Sequence, residues 1–134
     1  MILRTQEDFR SYEERNGFLS NNHIHIDSVS PERSAVSVRI VPESRNAAGF
    51  VHGGLLMLLA DVAASQTTMA DGRQYVTQNT FVSFLSSVRG GGGTLTAEGE
   101  TVRRGKKTVL IRVRVCGETQ KLLADASVTM MCTG

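Results

Sequence analysis

The sequence predicts an α+β domain in which a curved antiparallel sheet wraps around one long central helix. One run, LLMLLADVAASQTTMADG, begins at Leu55 and is apolar almost all round. Period-two alternation of apolar side chains recurs on both sides of it, and no second long helical pattern follows. A sheet covers such a helix only by curving around it, and a second subunit can help to complete the cover.

The composition fits one domain over residues 1–134. The chain is 40% hydrophobic and 21% charged, which is typical of a soluble globular protein. Its net charge of +2 is too small to indicate general binding to nucleic acid or to a membrane surface. No secretory signal is recognisable, so a cytoplasmic location is expected. Cys116 and Cys132 lack metal spacing and are expected to be buried, reduced thiols.

One short helix and two strands are expected before the central helix. Thr5, with Asp8 three residues later, resembles a helix N-terminus, and this helix should end near residue 16. Alternation over residues 22–28 and again over residues 35–41 predicts two strands. A loop rich in small and polar residues then leads to the central helix.

Four strands fit the rest of the chain, at residues 75–88, 95–103, 108–116 and 122–132. The connections between them are short, including the one that carries the four glycines of residues 90–93. Short connections favour antiparallel pairing of strands that follow one another in the chain.

Asp61 is the anomaly in the central helix, because it interrupts an apolar run on both sides. An unpaired charge beside apolar side chains is costly. The carboxylate either bonds to a buried donor and only fixes the structure, or it is a catalytic group.

Gly53 and Gly54 stand where this helix begins. A helix N-terminus presents unpaired N–H groups and the positive end of the dipole, and glycine leaves room for a carbonyl oxygen to approach and be polarised. The alternative is that the two glycines merely permit a tight entry into a crowded helix.

The spacing of these residues strongly resembles the signature of hotdog-fold acyl-CoA thioesterases, specifically the PaaI-like group. The residues that carry the resemblance are Asn46, Gly49, His52, Gly53, Gly54 and Asp61. It extends over about residues 28–131 and includes Val76-Thr77 and Phe84-Leu85. This sequence departs from the family at Ser87, where proline is frequent, and in its long glycine loop.

The resemblance implies hydrolysis of an acyl- or aryl-acyl-CoA thioester to the free acid and coenzyme A. Asp61 would be the nucleophile or the general base, and the Gly53 N–H would polarise the thioester carbonyl. Asn46 would position substrate or water, the Thr77 hydroxyl would assist, and His52 would orient the thioester or the leaving group. No cofactor is implied beyond the coenzyme A of the substrate, and the assembly would be a homotetramer.

A geometric argument bears on the same pair of residues. Gly53 and Asp61 are eight residues apart, so on one helix they lie about 12 Å apart along the axis and about 80° apart around it. One carbonyl cannot easily contact both. If they cooperate, two helices must lie antiparallel about a two-fold axis, and each dimer has two sites that both chains build.

Basic residues suggest where the phosphates of coenzyme A bind. Four of them fall within five residues at a predicted turn, and a fifth lies on a neighbouring connection: Arg103, Arg104, Lys106, Lys107 and Arg89. Such a cluster suits phosphates, although a solvated turn is an equally good interpretation.

His23 and His25 share the face of a predicted strand. The pair resembles a fragment of a metal site, but no further ligand has recognisable spacing, and a polar strand face explains it better. No metal is expected.

Two other functions remain possible. A hydratase or dehydratase of the same fold needs a histidine and a carboxylate placed for proton transfer on the acyl chain. A non-catalytic acyl-CoA-binding protein would bind its ligand without turnover. Release of the coenzyme A thiol distinguishes hydrolysis from both.

Overall fold

A computed structural model describes residues 2–134. Three α-helices, one short 3₁₀ turn at Pro42–Ser44 and six strands make up the described part of the chain. In chain order the helices and strands are α1 Gln6–Arg15, α2 Gly17–Asn21, β1 Ile24–Ser28, β2 Arg33–Arg39, α3 Gly53–Met69, β3 Tyr75–Phe84, β4 Thr94–Arg104, β5 Thr108–Cys116 and β6 Leu122–Cys132.

The first helix begins with the predicted cap. Thr5 Oγ1 accepts from the Asp8 N–H at 3.1 Å, and Asp8 Oδ2 accepts from the Thr5 N–H at 2.9 Å, so aspartate closes a capping box that glutamate or glutamine usually forms. α1 ends at Arg15, close to residue 16 as predicted, but a second helix follows at once. The Asn16 side chain accepts from the Leu19 N–H at 3.3 Å and caps the unpredicted helix α2.

The six strands form one antiparallel sheet in the order β1-β2-β4-β5-β6-β3. Its inner face packs around α3. The side chains that fill this interface are fully buried and aliphatic, among them Val36, Leu95, Ile111, Val113 and Val128. The expected α+β architecture, a curved antiparallel sheet around one central helix, is confirmed, and it is the hotdog fold.

One predicted strand pairing is wrong. β3 ends at Phe84 and pairs with β6 at the edge of the sheet, not with β4. The connection from β3 to β4 is a crossing segment, which passes the start of α3 and is held there by a hydrogen bond from the Val51 N–H to the Val88 carbonyl at 2.9 Å. Three of its four glycines have positive φ, which suits an irregular loop better than a tight hairpin.

The sheet of one chain covers α3 only in part. Leu59, Ala60 and Ala63 are fully buried against the strands. A stripe of residues at every third or fourth position stays at least partly exposed, comprising Gly54, Met57, Leu58, Asp61 and Ser65. Met57 retains 42% of its exposure, which is high for an apolar side chain at the centre of a fold. Along this stripe, the sheet of a single chain does not cover the helix.

Two expectations drawn from composition are tested by the described residues. Cys116 and Cys132 form no disulfide, and each is partly rather than fully buried. Among residues 2–134, no helix combines the length and the apolar content needed to cross a bilayer.

Candidate active site

Asp61 lies midway along α3, on the partly exposed stripe. Its Oδ1 accepts a hydrogen bond of 2.7 Å from Thr77 Oγ1, near the start of β3. Its carboxylate has no other hydrogen bond within residues 2–134. A bulge in the β3–β6 pairing lies directly after Thr77, and such irregularities often turn a side chain toward a site. The carboxylate is therefore held at one oxygen while the other is left free.

A cavity of about 250 Å³ opens beside this carboxylate, between α3, β3 and the α1–α2 segment. We call it the Asp61 cavity. It is lined by a mixture of apolar and polar side chains that includes Tyr12, Phe18, Leu58, Asp61, Gln66 and Thr77. Asp61 lies at a cavity and has few internal bonds. A reactive carboxylate needs this arrangement, whereas a purely structural one does not.

The N-terminus of α3 is capped by His52. The ring Nδ1 accepts from the Gly54 N–H at 2.8 Å, so the neutral ring carries its proton on Nε2. The Gly53 N–H has no partner among the described residues. A Cβ built on Gly53 would lie 3.4 Å from the Phe84 ring, and one on Gly54 would lie 2.9 Å from His52 Nδ1. Glycine at both positions keeps this helix end open and its cap in place.

A second cavity, of about 340 Å³, opens at this helix end. We call it the His52 cavity, since His52, Gly54 and Glu43 line it. It shares only Phe18 and Leu58 with the Asp61 cavity. Within one chain, therefore, His52 and Asp61 face different cavities.

The continuous helix also keeps Gly53 away from Asp61. Eight residues of α-helix separate them by about 12 Å along the axis. One chain does not bring the free Gly53 N–H and the Asp61 carboxylate to a common point.

Residues 48–124, more than half of the chain, match the family model of the thioesterase superfamily. The fold, the family signature and the open carboxylate agree with this match. The chain belongs to the thioesterase superfamily. It is a thioester hydrolase, and its resemblance to PaaI-like hotdog thioesterases is confirmed.

Solved structures extend the comparison. The smu.793 protein from Streptococcus mutans UA159, bound to acetyl CoA, is 29% identical with a TM-score of 0.78 and covers 83% of this chain and 89% of its own. A hypothetical thioesterase protein from Streptococcus pneumoniae TIGR4, solved with coenzyme A, is 26% identical with a TM-score of 0.77 and covers 83% and 89%. The PaaI protein of the E. coli phenylacetic acid degradation operon shares the fold, with a TM-score of 0.86 at 24% identity over 93% and 90% of the two chains.

Asn46, the first residue of the family signature, stabilises the loop before α3. Its Oδ1 accepts from the N–H groups of Ala48 at 3.0 Å and Phe50 at 3.1 Å. It lines neither the Asp61 cavity nor the His52 cavity. Arg45, which the sequence did not single out, binds the carbonyl oxygens of Gly49, Gly90 and Gly91 and fastens the glycine loop to this loop.

The five basic residues do not form one cluster in a single chain. Arg89 lies at the N-terminal end of α3, with its guanidinium 5.3 Å from the Phe50 ring. The turn that carries Arg103, Lys106 and Lys107 lies at the opposite end, because Arg104 beside them binds the last turn of α3.

Arg104 is committed to internal contacts. Its guanidinium donates to the carbonyl oxygens of Thr67, Thr68 and Pro31 at 2.9–3.0 Å and to Asp71 Oδ2 at 2.6 Å. Arg104 therefore joins the end of α3 to the sheet and is not free to bind a phosphate. The expectation that it binds the coenzyme A phosphates is wrong. Arg103, Lys106 and Lys107 are exposed.

The two histidines near β1 do not share a strand face. His23 precedes the strand with a positive φ of 59°. The Nδ1 of His25 lies 2.9 Å from Oε1 of Glu13, a nearly buried carboxylate of α1. Over residues 2–134 no group of three or more metal-ligating side chains comes together.

Proposed function

We propose that this protein hydrolyses an acyl- or aryl-acyl-CoA thioester to the free acid and coenzyme A, at sites shared by two chains. The observation that carries the proposal is the Asp61 carboxylate, which faces a cavity with one oxygen bonded to Thr77 and the other free. The coenzyme A and acetyl CoA seen in the two streptococcal structures support the choice of thioester.

Asp61 has two possible roles in cleavage. As nucleophile, its free oxygen attacks the carbonyl carbon, the C–S bond breaks, the thiolate leaves and is protonated, and water then hydrolyses the mixed anhydride. As general base, the carboxylate takes a proton from water as the water attacks the same carbon. In both routes the Thr77 hydroxyl fixes the rotation of the carboxylate.

Developing charge on the carbonyl oxygen needs a donor, and the free Gly53 N–H at the positive end of α3 is suited to that role. Since the two groups are about 12 Å apart on one helix, the donor comes from a second chain. His52 presents its Nε2–H near the same helix end and would orient the thioester or the leaving sulfur. Asn46 would act by holding the loop before Gly53.

The uncovered surfaces of the chain support a dimer. β3 is a ten-residue edge strand, and Val76 and Phe81 on its outer face are 52% and 71% exposed. A long exposed edge strand of this kind pairs readily with another strand. Antiparallel pairing of two β3 strands about a two-fold axis sets the two α3 helices antiparallel and covers their exposed stripes. Two such dimers would form the tetramer that the family resemblance implies.

The same dimer brings the separated cations together. With the α3 helices antiparallel, the N-terminal end of one helix, near Arg89, lies toward the C-terminal end of the other. We propose that the coenzyme A phosphates bind Arg89 of one chain and Arg103, Lys106 and Lys107 of the other.

A thiol-release assay with a panel of CoA esters, from short aliphatic to arylacetyl, tests the proposal. Wild-type protein should release free coenzyme A from at least one ester class, and Asp61→Asn should not. Binding without thiol release would favour the acyl-CoA-binding alternative. Loss or gain of water on the acyl chain without thiol release would favour a hydratase or dehydratase.

A further inference from the structure

Phe84 is an exposed aromatic side chain that lies against the proposed carbonyl donor. It is the last residue of β3, and it retains 53% of its exposure. Its ring atoms Cε1, Cζ and Cδ1 lie 3.4, 3.6 and 3.9 Å from the point that a Cβ on Gly53 would occupy. One edge of the ring therefore stands directly beside the start of α3, where the free Gly53 N–H is.

The end of the strand places this ring. Phe84 is opposite Ala124, which is fully buried, so its side chain is on the inner face of the sheet. The backbone just after it is held by β6, because the Leu123 carbonyl oxygen accepts from the N–H groups of Leu85 at 2.8 Å and Ser86 at 3.2 Å. The pairing of β3 with β6 therefore determines which helix residue the ring contacts.

Phe84 accompanies Gly53 into the proposed shared site. The contact between the ring and Gly53 lies within one chain, so the chain that supplies the Gly53 N–H also supplies Phe84. In its own chain Phe84 lines neither the Asp61 cavity nor the His52 cavity. In the proposed dimer the ring comes to the Asp61 cavity of the second chain together with the donor.

A carbonyl bound to the Gly53 N–H brings only a short part of the ligand near this ring. The oxygen lies about 2.9 Å from the nitrogen, and the carbonyl carbon lies about 1.2 Å further on. The sulfur and the α-carbon of the acyl group are each one bond from that carbon, so the ring meets these two neighbours. The sulfur side is the same in every CoA ester. The ring can therefore discriminate between substrates only at the α-carbon.

We propose that Phe84 is a specificity-determining residue, which selects esters with an unbranched α-carbon. This inference rests on the function proposed above. A methylene passes the ring edge, whereas a methyl branch competes with the ring for the same space. The role also accounts for a large apolar side chain that a single chain leaves half exposed at the start of α3.

The test compares esters that differ by one methyl group. Each rate is divided by the rate of alkaline hydrolysis of the same ester, which removes the intrinsic difference in reactivity. Wild-type kcat/KM should be about tenfold lower, or more, for α-methylhexanoyl-CoA than for hexanoyl-CoA, and likewise for α-methylphenylacetyl-CoA against phenylacetyl-CoA. Phe84→Ala, or Phe84→Leu as a milder truncation, should remove most of this preference.

Two controls separate the proposed role from a general loss of shape. β-Methylhexanoyl-CoA carries its branch one carbon further from the carbonyl, so its rate relative to hexanoyl-CoA should be the same in wild type and Phe84→Ala. Leu85→Ala truncates the next side chain, which is 55% exposed and lines neither cavity. This variant should keep the wild-type preference.

A mixed dimer shows which chain supplies the ring. When Asp61→Asn and Gly53→Val chains combine, the one intact site takes its Gly53 from the Asp61→Asn chain. Adding Phe84→Ala to that chain should relax the preference for unbranched esters. Adding it to the Gly53→Val chain should leave the preference unchanged.

The outcomes distinguish this inference from the proposed function. Equal normalised rates for branched and unbranched esters in wild type, or a preference that Phe84→Ala retains, would overturn the role of Phe84 and leave the proposed hydrolysis intact. Relaxation by Phe84→Ala on the Gly53→Val chain would also overturn it, because the ring would then act from the other chain. Absence of thiol release from every ester would overturn both.

Discussion

Two aspartates ten residues apart, Asp61 within α3 and Asp71 just after it, differ in how fully the protein uses their oxygens. Asp71 accepts four hydrogen bonds, from the Arg73 N–H at 2.9 Å, Arg73 Nε at 3.2 Å, the Tyr75 hydroxyl at 2.6 Å and the Arg104 guanidinium at 2.6 Å. Asp61 accepts one. The Asp71 carboxylate, with four hydrogen bonds, holds the end of the helix in place. The Asp61 carboxylate, with one, faces a cavity.

Electrostatics follow the same contrast. Burial by itself would raise the pKa of Asp71, but hydrogen bonds from Tyr75 and Arg73, together with the charge of Arg104, hold that pKa below its ordinary value. Asp71 is thus an ionised structural anchor. The number of hydrogen-bond donors, rather than burial, separates the carboxylate that holds the fold from the one that remains able to react.

Asp61→Asn is expected to have the largest effect of any single change. The substitution keeps the shape of the side chain but removes the nucleophile or base, so kcat for thiol release should fall by about 100-fold or more. Thermal unfolding should stay close to wild type, because only the Thr77 bond is affected. Near-normal turnover would mean that the reactive group lies elsewhere.

Asp71→Asn should give the opposite result. Loss of the charge that pairs with Arg104 and Arg73 should lower the free energy of unfolding by about 2 kcal/mol, as measured by denaturant titration. The kcat of the folded fraction should remain close to wild type. A large loss of kcat without loss of stability would remove the distinction between the two aspartates.

Thr77→Val should have a smaller effect on catalysis. It replaces the hydroxyl that orients Asp61 with a methyl group of similar size, so kcat should fall about tenfold, as expected for one hydrogen bond to a charged group. Thr77→Ser keeps the hydroxyl and should restore most of the rate. Equal activity of the two variants would show that the hydrogen bond is not used.

The smallest expected effect concerns acid stability. Because the pKa of Asp71 is lowered in the folded protein, its contribution is present above its ordinary pKa and disappears as the pH falls through the lowered value. The stability difference between wild type and Asp71→Asn should therefore shrink in acid. A difference that is constant from neutral to acidic pH would contradict this assignment.

Local signals made much of the fold predictable. The all-round apolar run predicted α3, and the clear alternation over residues 108–116 predicted β5. The β3–β6 pairing was not predictable in this way, because the glycine loop resembles a short turn and its crossing depends on contacts with the start of α3. The helix α2 was missed because Asn16 and Gly17 are equally suited to end a helix or to begin one.

The candidate site was predictable where a residue broke a pattern, as Asp61 does. Strand alternation alone would turn Arg103, rather than Arg104, toward α3. A bulge between Thr101 and Arg103 shifts the alternation by one residue and turns Arg104 inward instead.

Subunit mixing tests the central claim most directly, namely that Asp61 of one chain acts with the Gly53 N–H of another. Asp61→Asn and Gly53→Val homodimers should each be inactive in thiol release, although each folds. In a mixed dimer one of the two sites combines an intact Asp61 with an intact Gly53, so equal mixing should restore about a quarter of wild-type activity. No recovery, with mixed dimers demonstrated by native mass spectrometry, would contradict a site built from two chains.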